Sequence, residues 1–121
     1  TVAVLKIERL DGGPGWAHLK LEGEVDLDTV GQLRAELDQL QKRGVCHLAL
    51  HMAGTQWLNS SALAELVKFA ERFREQGGGI DLACLTRRVK VPIEMLGLHA
   101  FFSFHESWEE AQAAIPPQSF R

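Results

Sequence analysis

A polar segment, Asn59-Ser60-Ser61, stands where a short apolar strand gives way to an amphipathic helix. A helix start leaves its first backbone N–H groups unpaired at the positive end of the helix dipole, so polar side chains there can cap the helix. A serine could also act as a nucleophile, but the segment lacks the G-x-S-x-G elbow, and no histidine and aspartate are placed to activate Ser60 or Ser61. On the residues alone, capping is the favoured interpretation, and we expect no catalytic residue and no enzyme.

The histidine, cysteine and glycine patterns predict neither a metal nor a cofactor. His47 and His51 share one predicted strand, where four residues separate them by roughly 13 Å, too far for two ligands of one zinc ion. We interpret them as solvated side chains, while a site joining His47 to a histidine of a neighbouring strand stays open. Cys46 and Cys84 lie in apolar runs without paired spacing, which indicates reduced core thiols in a cytoplasmic protein. Gly77-Gly78-Gly79 follows a helix, so it predicts a helix stop and not a phosphate loop.

The overall composition is that of one soluble globular domain. The 121 residues are 45% hydrophobic and 24% charged, with a formal net charge of −3. Such a charge provides no basic field for nucleic acid, so we expect no nucleic-acid partner. The apolar runs are far shorter than a bilayer span, so we expect no membrane insertion. We predict a single domain over residues 1–121, with a core of about 3–115 and a C-terminal tail of 116–121.

Hydrophobic periodicity predicts strands that alternate with helices after an opening hairpin. Strands are predicted at 2–10, 16–22, 45–52, 80–85 and 101–105. Helices are predicted from an N-cap at Asp28 to residue 42, at 59–76 after a seven-residue turn, at 86–98 around Pro92, and at 108–115 behind a Ser107/Glu110 capping box. The apolar stripe of the third helix is Val89, Ile93 and Leu96. This order predicts an α/β fold, with a mostly parallel sheet and an antiparallel N-terminal edge hairpin.

One face of the predicted sheet is polar. His18 and Lys20 share it with His47 and His51, because strand side chains alternate with period two. A sheet covered on both faces should instead have continuous apolar strands. We therefore expect the helices mainly on one face, with the other partly open or available for docking. Single alanine changes on that polar face should cost no more than about 0.5 kcal/mol.

Several motifs, in order, resemble the STAS domain of bacterial anti-sigma factor antagonists over about residues 3–115. They are Gly23-Glu24-Val25-Asp26, Met52-Ala53-Gly54-Thr55, Leu58-Asn59-Ser60-Ser61-Ala62-Leu63, Thr86-Arg87-Arg88-Val89 and Met95-Leu96-Gly97-Leu98. In that family the serine that follows an aspartate at the start of the second helix is phosphorylated by a partner kinase, which is also the anti-sigma factor. Phosphorylation releases this partner. The resemblance implies the same α/β fold.

Carried over by motif, the phosphorylation candidate is Ser60, with Ser61 beside it. The implied partner-binding residues are Asp26, Asn59, Ser60, Ser61, Ala62, Thr86 and Arg88. The chain departs from the family pattern, since Asn59 and Ala62 flank the serines in place of aspartate and glycine, and His51 replaces a strand aspartate.

The leading hypothesis is a non-enzymatic regulatory module that binds a protein partner, such as an anti-sigma factor kinase, through the start of the second helix. An alternative is a STAS subunit or fragment that regulates a transporter or a multi-domain sensor without phosphorylation. A further alternative is a small-ligand or nucleotide sensor that uses the loop crevice at the strand ends. The oligomeric state is left open by the sequence.

Overall fold

The computed structural model describes residues 4–115, which fold into one sheet and four α-helices. The strands are β1 Leu5–Gly13, β2 Trp16–Val25, β3 His47–Leu58, β4 Gly79–Ala83 and β5 Phe102–His105. The helices are α1 Val30–Lys42, α2 Ser60–Glu75, α3 Arg87–Met95 and α4 Trp108–Ala114, and a 3₁₀ turn spans Leu98–Phe101. The predicted α/β class is confirmed, while the predicted tail at 116–121 lies outside the described residues.

The order of the strands in the sheet is their order in the chain, β1-β2-β3-β4-β5. β1 pairs antiparallel with β2, and the remaining pairs are parallel, as predicted. Parallel crossovers are right-handed, so crossovers that always advance in one direction place their helices on the same face. The main core agrees, because it joins the strands to Leu33 of α1, Leu66 and Phe69 of α2, and Ile93 of α3.

The helix boundaries follow from local signals. Asn59 is the N-cap of α2, and its side-chain oxygen accepts a hydrogen bond from the backbone N–H of Ala62 at 2.8 Å. The glycine stop is confirmed: Gly77 adopts φ 86°, and the N–H of Gly78 donates to the carbonyl of Phe73. A Cβ on Gly78 would collide with the Cys46 carbonyl, so only glycine lets the chain pass this close to β3.

Three local predictions are wrong. The seven-residue turn before α2 is extended strand, because β2 is long enough to pair Glu22–Val25 with the segment 54–58 of β3 across two register shifts. The N-cap of α1 is Thr29 and not Asp28, because Asp26 folds back onto the loop. Leu96 is 62% exposed, because α3 ends before it and its side chain leaves the core.

Three of the four α-helices lie on the main core face, as predicted, and α4 covers part of the polar face, which was expected to be partly open or available for docking. Ala111 of α4 and Ile115, which follows its last residue, pack on Ala49 of β3 and Ala83 of β4. Under the end of this helix His18 is only 3% exposed, and its Nε2–H donates to the Ile115 carbonyl at 2.7 Å. The small alanines of the central strands leave room for this short helix, while Lys20, His47 and His51 beside it stay half-buried.

Candidate functional site

The start of α2 presents Ser60 to solvent without giving it a capping task. The N-cap of the helix is Asn59, so neither serine is needed as a cap. Ser60 is exposed and Ser61 is half-buried, and neither hydroxyl makes a hydrogen bond within residues 4–115. The backbone N–H groups of Ser60 and Ser61 are the first two of the helix and have no partner inside it. The structure therefore does not support capping as the role of these serines.

The loops of Asp26 and Thr86 both follow strands that pair with β3, the strand that leads into this helix. The N–H of Asn59 donates to the carbonyl of Val25 at 2.9 Å, which joins the end of β2 to the start of α2. Asp26 follows Val25, and its Oδ1 accepts a hydrogen bond from the N–H of Asp28 at 2.8 Å. On the other side, the Thr86 hydroxyl donates to the carbonyl of Thr55 in β3 at 3.5 Å. Parallel strands thus bring all three segments to one edge of the sheet.

The predicted contact residues differ in their accessibility. Ser60 and Arg88 are exposed, and Asp26 and Thr86 are partly exposed. Ala62 is an exception, because its side chain is fully buried in the core. Its position two residues beyond Ser60 turns the methyl group inward, so Ala62 cannot touch a partner in this conformation. Ala62 contributes its backbone N–H, which donates a hydrogen bond to the Asn59 side chain.

A match to a known family accounts for this arrangement. Residues 9–111, most of the chain, fit the family model of the STAS domain. The chain belongs to the STAS domain family. The resemblance noted in the sequence is thereby confirmed, and the five-stranded mixed sheet is the fold of this family.

Solved STAS structures share this fold at low sequence identity. An anti-sigma factor antagonist from Mycobacterium paratuberculosis superposes with a TM-score of 0.77 and 20% identity, covering 91% of this chain and 94% of that one. The anti-sigma factor antagonist SpoIIAA in its unphosphorylated form gives a TM-score of 0.76 and 18% identity, over 93% and 96% of the two chains. The phosphorylated form of SpoIIAA, a Bacillus cell fate determinant, gives 0.70 and 17%, over 93% and 99%.

Two exposed apolar side chains flank the site of this STAS domain and were not singled out from the sequence. Leu27, next to Asp26, is 78% exposed, and Trp57 at the end of β3 is 47% exposed. Trp57 pairs in register with Glu24, so both lie at the edge of the sheet that carries Ser60. Exposed tryptophan side chains are common anchors in protein interfaces. In the sequence, the sign of their exposure is that each is a bulky apolar residue next to polar loop residues.

A buried carboxylate fixes α2 against α1 behind this edge. Glu65 is 8% exposed, and its Oε1 accepts hydrogen bonds from Arg34 at 2.6 Å and Lys68 at 2.7 Å. Burial alone would raise the pKa of Glu65, but the hydrogen bonds and charges of Lys68 and Arg34 hold it below its usual value. The carboxylate is therefore charged at neutral pH, and it holds the helix that carries Ser60.

Four of the five histidines, His18, His47, His51 and His105, lie on the α4 side of the sheet, while His99 lies in the 3₁₀ turn that follows α3. The ring of His51 is 5.1 Å from that of Trp108, and burial lowers the pKa of His51. His105 Nε2 and Asp81 Oδ2 are 2.6 Å apart. Within residues 4–115 no group of three or more His, Cys, Asp or Glu side chains could hold a metal ion. The same part of the chain has no helix long and apolar enough to cross a bilayer.

The sheet topology bears on the small-ligand hypothesis. Open α/β sheets bind ligands where the strand order reverses, and this order never reverses. A cavity of about 450 Å³ does open at the ends of β4 and β5, lined by Cys84, Leu85, Lys90, Phe104, His105 and Glu106. Its lining contains one lysine, Lys90, and one carboxylate, Glu106. Burial raises the pKa of the Cys84 thiol. The cavity therefore has no concentrated positive charge for a nucleotide phosphate.

Proposed function

We propose that this STAS domain is a non-enzymatic regulatory module that binds a protein partner through the start of α2, with phosphorylation of Ser60 as the release signal. The partner class proposed is an anti-sigma factor with serine-kinase activity. The contact surface is the exposed part of the strand-end edge: Leu27, Trp57 and Ser60, with the loops of Asp26 and Thr86 around them.

The observation that carries this proposal is that Asn59 caps α2 and leaves the Ser60 hydroxyl exposed. A serine that capped the helix would have its hydroxyl oxygen turned toward the N–H groups of the first turn and engaged by them. Here the cap survives modification of Ser60, because the phosphate acceptor and the capping residue are different side chains. The phosphorylated form of SpoIIAA supports the proposal further, since it is a protein of this fold that carries a phosphate.

A phosphate on Ser60 would add about −1.5 to −2 charges beside the free N–H groups of the first helical turn. The fold should tolerate this charge, because the helix dipole favours an anion there. The surface would change more than the fold. An apolar or acidic partner surface packed over Leu27 and Trp57 would then face a strong negative charge that it cannot pair.

The test compares Ser60→Asp and Ser60→Glu with wild type. The wild-type domain first captures its partner from a lysate, mass spectrometry identifies it, and the purified partner is titrated against each variant. We expect melting curves close to wild type and binding at least about tenfold weaker, roughly 1.4 kcal/mol. Incubation of the partner with ATP and wild type should phosphorylate Ser60, while Ser60→Ala should stay unmodified.

Ser61→Asp is the matched control, because it adds the same charge one residue away on a half-buried side chain. It should weaken binding less than Ser60→Asp. If Ser60→Asp binds as tightly as wild type, the helix start is not the contact surface and the proposal fails. Capture of a transporter or sensor component without kinase activity would instead favour the alternative STAS role.

A further inference from the structure

A groove runs along the exposed side of α2, between this helix and the segment that follows α3. It has a volume of about 530 Å³. We call it the α2 groove; its walls are Ser60, Leu63, Ala64, Val67, Lys68, Glu71, Arg72 and Glu75 of α2, with Leu96 and Leu98 opposite. Leu96 is 62% exposed, so the wall opposite α2 is apolar and reaches solvent. Single exposed apolar residues are ordinary, but several along one groove mark an interaction surface.

The groove changes in character along its length. Ser60, Ala64, Val67, Glu71 and Glu75 follow one another at spacings of three or four residues, so they form one line along the helix. This line begins with a hydroxyl, continues with apolar side chains and ends with two carboxylates. It spans the sixteen residues of α2, whose fifteen steps of 1.5 Å give a length of about 22 Å.

The charged side chains of the groove differ in whether they have an ion-pair partner within the domain. Lys68 is bound to Glu65 at 2.7 Å, and Arg72 lies 3.8 Å from Asp38 and 5.0 Å from the centre of the Phe69 ring. Glu71 and Glu75, in contrast, make no ion pair within residues 4–115. Each of these two cations thus has a carboxylate of the domain within 4 Å, while the two carboxylates at the far end are available to a partner.

We infer that the α2 groove receives an amphipathic helix of the protein partner, antiparallel to α2, with lysine or arginine in its first turns and apolar residues after them. The basic turns would meet Glu71 and Glu75, and the apolar turns would pack on Val67, Ala64 and Leu96. In this direction the two helix dipoles are antiparallel, which is favourable, and the uncharged end of the partner helix lies at Ser60. A helix fits better than a strand, since α2 has no free sheet edge to extend. The inference rests on the proposed function for the existence of a partner.

The probe is a fluorescein-labelled, 16-residue helical peptide with leucine along one face and lysine in its first two turns. A control peptide of identical composition carries the lysines in its last two turns. Both are titrated against the whole domain by fluorescence anisotropy, and NMR shifts of the labelled domain map the contact. We expect the first peptide to bind at least about fivefold more tightly than the control, with shifts confined to the groove.

Three variants locate the binding. Leu96→Asp should weaken the first peptide at least about tenfold, and Glu71→Gln combined with Glu75→Gln should abolish the preference between the peptides. Glu109→Gln on α4 is the matched control and should change nothing. All these side chains are exposed, so folding is checked simply by thermal melting.

Equal binding of the two peptides, undiminished binding by Leu96→Asp, or shifts outside the groove would each overturn the inference. A dimer in sedimentation equilibrium that Leu96→Asp dissociates would also overturn it, because the groove would then be a contact between copies of this chain. The peptide assay requires neither phosphorylation of Ser60 nor a kinase. Its failure therefore leaves the Ser60 experiment untouched, and a failed Ser60 experiment leaves the peptide result standing.

Discussion

Replacement of His18 by alanine should destabilise the domain, although a polar sheet face would ordinarily tolerate it. The His18 ring is buried between Trp16 and Trp108, with centroid distances of 4.8 Å and 5.3 Å. Its Nε2–H donates to the Ile115 carbonyl, which fixes the end of α4 on the sheet. Lys20 is its neighbour on the same face of β2, but that side chain is 34% exposed and pairs only with Glu22 at the surface.

The expected loss of stability is the sum of what the imidazole ring contributes. The hydrogen bond contributes about 0.5–1.5 kcal/mol net, and the ring packing and the cavity left by truncation add about 2 kcal/mol. His18 Nδ1 is buried without a hydrogen-bond partner among the described residues, so its removal returns about 1 kcal/mol. We therefore expect His18→Ala to lower the free energy of unfolding by about 2 kcal/mol, and Lys20→Ala by no more than about 0.5 kcal/mol.

Urea denaturation followed by circular dichroism measures both variants. With a slope of about 1.5 kcal/mol/M, the midpoint should fall by more than about 1 M for His18→Ala and hardly move for Lys20→Ala. Leu48→Ala on the main core face provides the scale, with an expected cost of about 2–5 kcal/mol. If His18→Ala and Lys20→Ala shift the midpoint equally, α4 does not pack on this face in solution, and the reasoning from His18 burial is refuted.

Two further predictions concern α2. Asn59→Ala should lower the free energy of unfolding by about 1 kcal/mol, because the N–H of Ala62 loses its acceptor, while Asn59→Asp should keep the cap; equal urea midpoints for the two variants would contradict this. Since the folded-state pKa of Glu65 lies below its usual 4.5, its charge stabilises the fold above that pH, and this contribution is lost as the pH falls through the lowered pKa. The deficit of Glu65→Gln in urea melts should therefore be largest near pH 7 and shrink below about pH 4, and a deficit that grows in acid would show that the ion pairs are not the cause.

The order and type of the elements could be predicted because each signal is local. The change from period two to period 3.6 at Leu63 marks α2, and the three glycines mark its end. The placement of α4 could not be predicted in this way. Polar His18 suggested solvent, whereas the space above Ala49 and Ala83 exists only once the strands are assembled.

The candidate site shows the same division. The exposure of Ser60 at a helix start follows from sequence periodicity, and its convergence with Asp26 and Thr86 follows from parallel strands. Whether Ser60 or Asn59 caps the helix depends on which residue is the last with extended backbone angles, and this is Asn59, with φ −83° and ψ 176°. The exposure of Trp57 likewise depends on the register shifts between β2 and β3, which lengthen β3 to Leu58.

The match between strand order and chain order has a consequence for synthesis on the ribosome. Each strand leaves the exit tunnel when the strand it must pair with has already emerged, so the sheet can grow by addition at one edge. Pairing of successive strands keeps the loops that must close as short as parallel crossovers allow. α4 emerges after all five strands, so the nascent chain exposes Trp16 and His18 until its final segment arrives. Closure of this second face is then the last step of folding, and it completes only in a chain translated through Ile115.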